Sequence, residues 1–172
     1  MTKIILSVTA ALLACSAPAM AAGGPTDPQI AHIAYTAGNI DAAAAKQALA
    51  RSHSKSIRSF AQEMMRDHQA VNAKALALVK KLHVTPEDNA TSQGLTKAAD
   101  AERAKLAKLR GAAFDRDYIN NEVAYHKTVN GALESTLIPS ANNGELKSLL
   151  ETGLTLFREH QAHAEHVAKA FK

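Results

Sequence analysis

The sequence predicts an all-α fold of four long helices, with a shorter helix in a long crossover between the second and the third. Apolar residues recur at the spacing of a helix face, and no segment alternates apolar and polar residues in the manner of a half-buried strand. Alanine, leucine, lysine and glutamate, which are good helix formers, are abundant. Proline, glycine and asparagine separate the apolar segments, so we expect distinct helices joined by turns.

Residues 1–21 have the three parts of a secretory signal. Lys3 supplies a short basic start, an apolar run covers residues 4–14, and Ala19-Met20-Ala21 has the small-x-small pattern of a cleavage site. The apolar run is shorter than the roughly 20 residues that a membrane-spanning helix needs. We therefore expect a cleavable signal peptide, export to the periplasm, and a single helical domain over residues 22–172.

A lipid anchor is the alternative to a soluble exported form. Leu12-Leu13-Ala14-Cys15 loosely resembles a lipid-attachment box, although a better cleavage site follows it. Cys15 is the sole cysteine of the chain, so cleavage after Ala21 leaves a mature protein without disulfide or thiol chemistry. Such a protein must fold by burying its core alone, for which about 150 residues suffice.

Composition excludes several classes of partner. The formal net charge of +4 falls to +3 when Lys3 is removed, and the remaining basic residues are spread along the chain. There is no tryptophan and only 4% of residues are aromatic, so the basic stripe with stacking rings of a nucleic-acid-binding protein is missing. Beyond the signal we expect no transmembrane segment. The sequence leaves a protein partner and a homo-oligomer open.

The helices are placed by their caps and breaks. Asp27 is the expected N-cap of the first helix, and Pro28 suits its first turn. Ser52-His53-Ser54 separates the first two helices, and Pro86 follows the second. The predicted helices span residues 27–51, 54–83, 92–110, 113–137 and 143–171.

The end of the chain and the crossover complete this pattern. Pro139 and Asn142-Asn143-Gly144 mark a turn before the last helix. In the crossover, Leu95, Leu106 and Leu109 are expected to face inward with Ala99. Long helices paired by short turns, with one long connection between the second and third, describe a ferritin-like four-helix bundle.

Each of the four long apolar stripes is interrupted once by a polar residue. The interruptions are Asp41, His68, His126 and His160, one on each helix and each close to its middle. A residue in the middle of a helix stays at mid-height whichever way the helix runs, because the rise is about 1.5 Å per residue. The spacing therefore predicts that all four side chains meet in one layer of the bundle.

A layer of imidazoles and carboxylates has the composition of a metal site. Glu122 lies one turn before His126 on the same face, and His163 lies three residues after His160 near the same seam. Imidazole suits zinc, copper and iron, and carboxylates widen the choice towards iron. We expect a metal ion, namely zinc, iron or copper, and no organic cofactor. The candidate ligands are His68, His126, His160, Asp41, Glu122 and His163.

A closed hydrogen-bond network is the alternative to a metal ion, since either one removes the cost of burying polar groups. Asp67 and Asp115 lie close to the layer at the edge of their stripes. His-rich tracts such as the one ending at His166 also bind metals nonspecifically. Met64 is expected to be core filler rather than a copper ligand. The remaining histidines, His32, His53 and His83, are expected at the surface.

The combined motifs resemble a family of domain-of-unknown-function proteins exported by bacteria, whose members are often labelled outer-membrane or exported proteins. The resemblance rests on Phe60-Ala61-x-x-Met64-x-x-Asp67-His68, on Phe114-Asp115-x-x-Tyr118, and on His126 eight residues later. It covers residues 28–171 and implies a ferritin-like fold and a Gram-negative source, without a function. That family usually carries a glutamate near the place of Asp41, so the shorter acid departs from its pattern.

Several activities are disfavoured. Di-iron ferritin-like proteins use Glu-x-x-His pairs, and no histidine of this chain has an acidic residue three positions before it. There is no nucleophile motif, no Gly-rich phosphate loop and no His-Glu-x-x-His. The sequence therefore favours a non-enzymatic protein, without deciding the matter. Two functions stay open: a metal-binding bundle for storage, buffering or stress, and a structural bundle with a buried His/acid network and a partner surface.

Overall fold

The computed structural model describes residues 23–171, and this part of the chain is helical with no strand. The five longer helices are α1 (Asp27–Arg51), α2 (Lys55–Lys81), α3 (Ala90–Leu106), α4 (Gly111–Ala132) and α5 (Gly144–Ala168). The predicted all-α class is confirmed. The predicted signal peptide and the alternative lipid site at Cys15 lie outside the described residues. None of the helices in residues 23–171 has the length and apolar character to cross a membrane.

Two helix ends differ from those that the sequence predicts. The N-cap of α1 is Thr26, whose N–H donates to Gln29 Oε1 at 3.2 Å, and not Asp27. The helix that was expected to continue regularly to Leu137 changes at Leu133–Leu137 into one wide turn with i to i+5 hydrogen bonds. A short helical turn, Ile138–Ser140, then leads to the loop before α5. Pro139 ends the regular pairing, because it lacks an N–H.

Asp27 has a different role from the cap that was expected. Its carboxylate oxygens accept hydrogen bonds from the backbone N–H groups of Asn142 and Asn143, both at 2.9 Å. Asn143 in turn caps α5, since its side-chain oxygen accepts from the N–H groups of Glu145 and Leu146. Asp27 therefore ties the start of α1 to the start of α5, over 115 residues of chain.

The long helices pack in pairs. Helices α1 and α2 form a hairpin across a three-residue link, and α4 packs along α5. Gly38 allows the close approach of α1 to α2, since a Cβ there would meet the Asn72 side chain. Helix α3 crosses the outside of α1, where Arg51 donates hydrogen bonds to the carbonyl oxygens of Ala107 and Leu109, each at 2.8 Å. The two pairs enclose a shared interior.

Two apolar clusters lie at the opposite ends of that interior. The first is centred on Phe60, Phe114 and Tyr118, which are fully buried. The second contains Ile30, Leu150 and other aliphatic residues at the other end. The polar interruptions of the apolar stripes lie between the two clusters. This order follows from the sequence, because the first cluster uses the C-terminal half of α1 and the N-terminal half of α2, and the second uses the N-terminal part of α1.

The tie made by Asp27 gives a first prediction. Asp27→Ala removes two charge-assisted hydrogen bonds, so the free energy of unfolding should fall by about 1–3 kcal/mol. Urea denaturation of the purified variant measures this. The matched control is Asp100→Ala, which breaks only an exposed pair with Arg103 and should cost less than about 1 kcal/mol. Equal losses in the two variants would contradict the role given to Asp27.

Candidate metal centre

Five titratable side chains converge between the two apolar clusters. Asp41 comes from α1, His68 from α2, Glu122 and His126 from α4, and His160 from α5. None of them is more than 3% exposed. The structure therefore brings together five of the six residues that the sequence singled out. Each lies on the inner face of its helix because the flanking apolar residues of the same stripe pack into the two clusters.

The distances from Asp41 to two of the imidazoles are too long for hydrogen bonds and suit a shared cation. Asp41 Oδ2 lies 3.5 Å from His68 Nε2 and 3.4 Å from His126 Nε2. Hydrogen bonds from nitrogen to oxygen are usually 2.7–3.2 Å long. Ligands held about 2.0–2.1 Å from a tetrahedral zinc ion lie roughly 3.4 Å from one another. The distance from Asp41 Oδ2 to each of the two imidazole nitrogens therefore matches the separation of two ligands on one ion.

Two of the imidazoles are held with one ring nitrogen free. His126 Nδ1 lies 3.0 Å from the carbonyl oxygen of Glu122; a carbonyl only accepts, so Nδ1 donates and Nε2 keeps its lone pair. His160 Nε2 lies 3.1 Å from Asp67 Oδ2, which leaves His160 Nδ1 free. Metal-binding histidines typically donate their second nitrogen to a carbonyl or carboxylate in this way, which fixes the tautomer and the ring orientation.

The free atoms are buried without a hydrogen-bond partner. They include both oxygens of Asp41, both ring nitrogens of His68, Nε2 of His126, Nδ1 of His160 and Oε2 of Glu122. A single such group costs about 1–3 kcal/mol when it is desolvated and unpaired. The ligand atoms of His68, His126 and His160 lie within 4.8 Å of one another, as do those of Asp41, Glu122 and His126. The arrangement therefore offers overlapping sets of donors to one ion.

Burial keeps the three imidazoles neutral. Desolvation, together with the neighbouring imidazoles, lowers the pKa of His68 from 6.5 to about 3. Desolvation lowers the pKa of His126 to about 4, against the opposing effect of its hydrogen bond to the Glu122 carbonyl oxygen. The pKa of His160 is lowered by burial as well, against the opposing effect of Asp67. Because the neutral imidazole is the form that binds a metal, these rings are ready to coordinate at neutral pH.

The two carboxyl groups show the opposite effect. Burial raises the pKa of Asp41 from 3.8 to about 7. Burial also raises the pKa of Glu122 well above its ordinary value, and the adjacent Asp41 raises it further. Two carboxylates that share a buried site cannot both be charged without a compensating cation. A divalent ion would supply that compensation and allow both to ionise.

A small cavity leads to the carboxyl groups. Its volume is about 260 Å³, and it lies between α1, α3 and α4 with Asp41 and Glu122 among its lining residues. Leu106 and Glu102 contribute to its wall from α3. The crossover helix therefore covers the side of the interior on which these carboxyl groups lie.

His163, the sixth candidate, lies outside the buried layer. Its Nδ1 is 2.8 Å from Glu63 Oε2, and both side chains are about one-third exposed. Sequence reasoning passed over Glu63, although Glu63 and Asp67 are four residues apart on α2 and face His160 and His163, three residues apart on α5. That spacing was the available signal. The ligand atoms of Glu63, Asp67 and His160 also lie within 4.8 Å of one another.

Two tyrosines near the carboxyl groups were also missed. The Tyr118 hydroxyl is buried without a hydrogen-bond partner, and its pKa is raised well above 10 by burial, with further effects of Glu122 and Asp41. Tyr125 donates to the carbonyl oxygen of Ala37 at 2.9 Å, which joins α4 to α1 beside the layer. Tyr118 lies four residues before Glu122 on α4, and this spacing of one helical turn was the available signal.

The fold and the site define an all-helical protein with a buried cluster of histidines and carboxylates that is competent to hold a metal ion. The chain belongs to the family described as "Domain of unknown function (DUF4142)", whose model matches residues 12–167. The expected membership of a domain-of-unknown-function family is therefore confirmed. No curated protein matches the chain. No solved structure matches it either.

The raised pKa of Asp41 gives a pH-dependent prediction for the metal-free protein. The pKa of Asp41 is about 7 in the folded chain and 3.8 in the unfolded chain. The contribution of Asp41 to the free energy of unfolding is therefore fully present below pH 3.8 and is lost as the pH rises through 7. Asp41→Asn removes this loss. With chelator present, we expect the variant to gain about 2–4 kcal/mol over the natural chain between pH 4 and pH 8.

Urea denaturation at pH 4, 5.5, 7 and 8 measures that gain. Asp100→Asn is the matched control, because it makes the same change at an exposed carboxylate that pairs with Arg103. A profile for Asp41→Asn no steeper than that of the control would show that Asp41 is not desolvated in the way the structure requires.

Proposed function

We propose that this chain is an exported metal-binding protein with a ferritin-like four-helix arrangement. It would bind one transition-metal ion through Asp41, His68, His126 and His160, for storage, buffering or protection from metal stress. Glu122 would stand beside Asp41, either as a further ligand or as the carboxyl group that shares its proton. The proposal rests above all on the buried donor atoms that lack a partner. These atoms belong to two groups that share His126, within each of which the ligand atoms lie no more than 4.8 Å apart.

The donor set narrows the choice of ion. Three imidazoles and a carboxylate offer nitrogen and oxygen and no thiolate, which suits zinc, copper(II) and iron and disfavours calcium and magnesium. The arrangement differs from a di-iron centre, in which carboxylates outnumber histidines. The hydrogen bond between His160 and Asp67 would raise the basicity of the ring and so strengthen the bond to the ion.

The pairing of helices supports one central ion. The four ligands come from α1, α2, α4 and α5, so that a single cation would join both hairpins at mid-height. Binding would therefore stabilise the fold by mass action. The free energy of unfolding would rise by about 2.7 kcal/mol when the concentration of the free ion is one hundred times its dissociation constant. Export, which the N-terminal sequence predicts, would place the protein where the supply of these metals varies with the surroundings.

Metal loading tests the proposal directly. The chelator-stripped protein is dialysed against zinc, copper(II) and iron(II), and its metal content is measured by mass spectrometry. We expect about one ion per chain and a higher melting temperature with metal than with chelator. The variant His68→Ala/His126→Ala should lose the ion and the metal-dependent rise.

The matched control is His53→Ala/His166→Ala, which removes two exposed imidazoles and should keep the ion.

The alternative function is a structural protein whose buried His/acid network meets a partner. It requires that the His68/His126 variant lose stability while metal content and the effect of chelator match those of the control. That result, or the absence of bound metal in the natural chain, would overturn the proposed function.

A further inference from the structure

A second cavity, far larger than the one beside the carboxyl groups, occupies one end of the helical interior. Its volume is about 830 Å³. We call it the apolar chamber. Its walls come from the N-terminal half of α1, the C-terminal half of α2, the end of α4 with the wide turn that follows, and the N-terminal half of α5. Representative lining residues are Ile33, Ala34, Val71, Ala75, Leu133 and Leu150.

The lining is apolar and uncharged. None of the residues that line the chamber within the described part of the chain is charged, and most are aliphatic. Protein interiors are normally packed as densely as organic crystals, and voids larger than a water molecule are few. Each missing contact removes dispersion energy, and an apolar cavity of this kind does not hold ordered water well. The chamber is therefore suited to an apolar occupant.

The chamber extends along α5. Phe157 belongs to its lining and stacks on the His68 ring, with the ring centroids 4.7 Å apart. Leu146, eleven residues earlier on the same helix, lines it as well. At a rise of 1.5 Å per residue, that distance is roughly 16 Å. Such a length suits an extended hydrocarbon chain better than a compact ring system.

The outer end is polar but neutral. Thr26, Gln29, Asn89 and Thr91 lie at the start of α1 and of α3, and all four belong to the lining. Ligand pockets of about 300–1,000 Å³ typically combine an apolar interior with a few polar groups that fix orientation. Asn72 also lines the chamber, but it is buried and donates a hydrogen bond to Asn39. The exposed hydroxyl groups of Thr26 and Thr91 can hydrogen-bond a head group that stays outside while the tail lies within.

We propose that the apolar chamber binds the acyl chain of a single-chain amphiphile, such as a fatty acid, with its head group at the polar mouth. The site is separate from the metal ligands, because Phe157 stands between them, and it does not depend on the proposed metal function. The chamber would recognise the hydrocarbon tail and not a charged head group, because none of its lining residues within the described part of the protein is charged.

The test uses the delipidated, chelator-treated protein and 11-(dansylamino)undecanoic acid as the probe. We expect a saturable rise in probe fluorescence that reverses when hexadecanoic acid is added. Ala34→Leu/Ala75→Leu fills the chamber from α1 and α2 and should weaken probe binding at least tenfold. Because the added side chains enter unoccupied space, this variant should melt no lower than the natural chain, which separates lost binding from lost folding.

The matched control is Ala50→Leu/Ala73→Leu, which places the same side chains at exposed positions of the same two helices. It should bind the probe as the natural chain does. Equal affinity in both double variants, or no saturable binding in the natural chain, would overturn the proposal.

Sedimentation of the protein across concentrations adds a further outcome. If the protein dimerises and the dimer does not bind the probe, the chamber is covered by a second copy of the chain. If the protein that retains residues 1–22 does not bind the probe, the chamber is covered by that segment. Either result overturns the acyl-chain site.

Discussion

The burial of three imidazoles and two carboxyl groups at mid-height is the constraint on which the rest of the structure depends. Asp41, His68, Glu122, His126 and His160 occupy places that an apolar core would fill with leucine. Their desolvation shifts the pKa values of the histidines down and those of the carboxyl groups up, so each side chain tends towards its neutral form. The two apolar clusters must supply the stability that this layer does not.

The neighbouring polar groups reduce this cost only in part. The Glu122 carbonyl and the Asp67 carboxylate each accept a hydrogen bond from one imidazole, yet the atoms that face the centre remain without partners. Such incomplete satisfaction is typical of a site that is completed by something else. Helix α3 bounds the small cavity that reaches the two buried carboxyl groups of this layer.

The two ends of the interior are packed differently. At one end Phe60, Phe114 and Tyr118 fill the space among four helices. At the other end the C-terminal half of α2 contributes no fully buried apolar residue to the second cluster, and Val71 and Leu78 are only partly covered. The apolar chamber occupies that end, next to the wide turn after α4. The two ends of the protein therefore differ in packing: one is filled by large side chains, and the other contains the apolar chamber.

Periodicity and punctuation in the sequence were sufficient to predict the all-α class, the five helices and four polar residues at mid-helix. These features are local: a face repeats every 3.6 residues, and a turn needs its own residue types. Helix ends were less well predicted, because Thr26 and the wide turn at Leu133–Leu137 depend on neighbouring segments.

Only the tertiary structure determined the relations between residues that are far apart in the sequence. They include the tie from Asp27 to the turn before α5, the pairing of Asp67 with His160, the exclusion of His163 from the buried layer, and the chamber itself. A sequence shows which faces are apolar but not how far apart two faces stand once packed. That distance determines whether a polar atom finds a partner and whether a space between helices is filled.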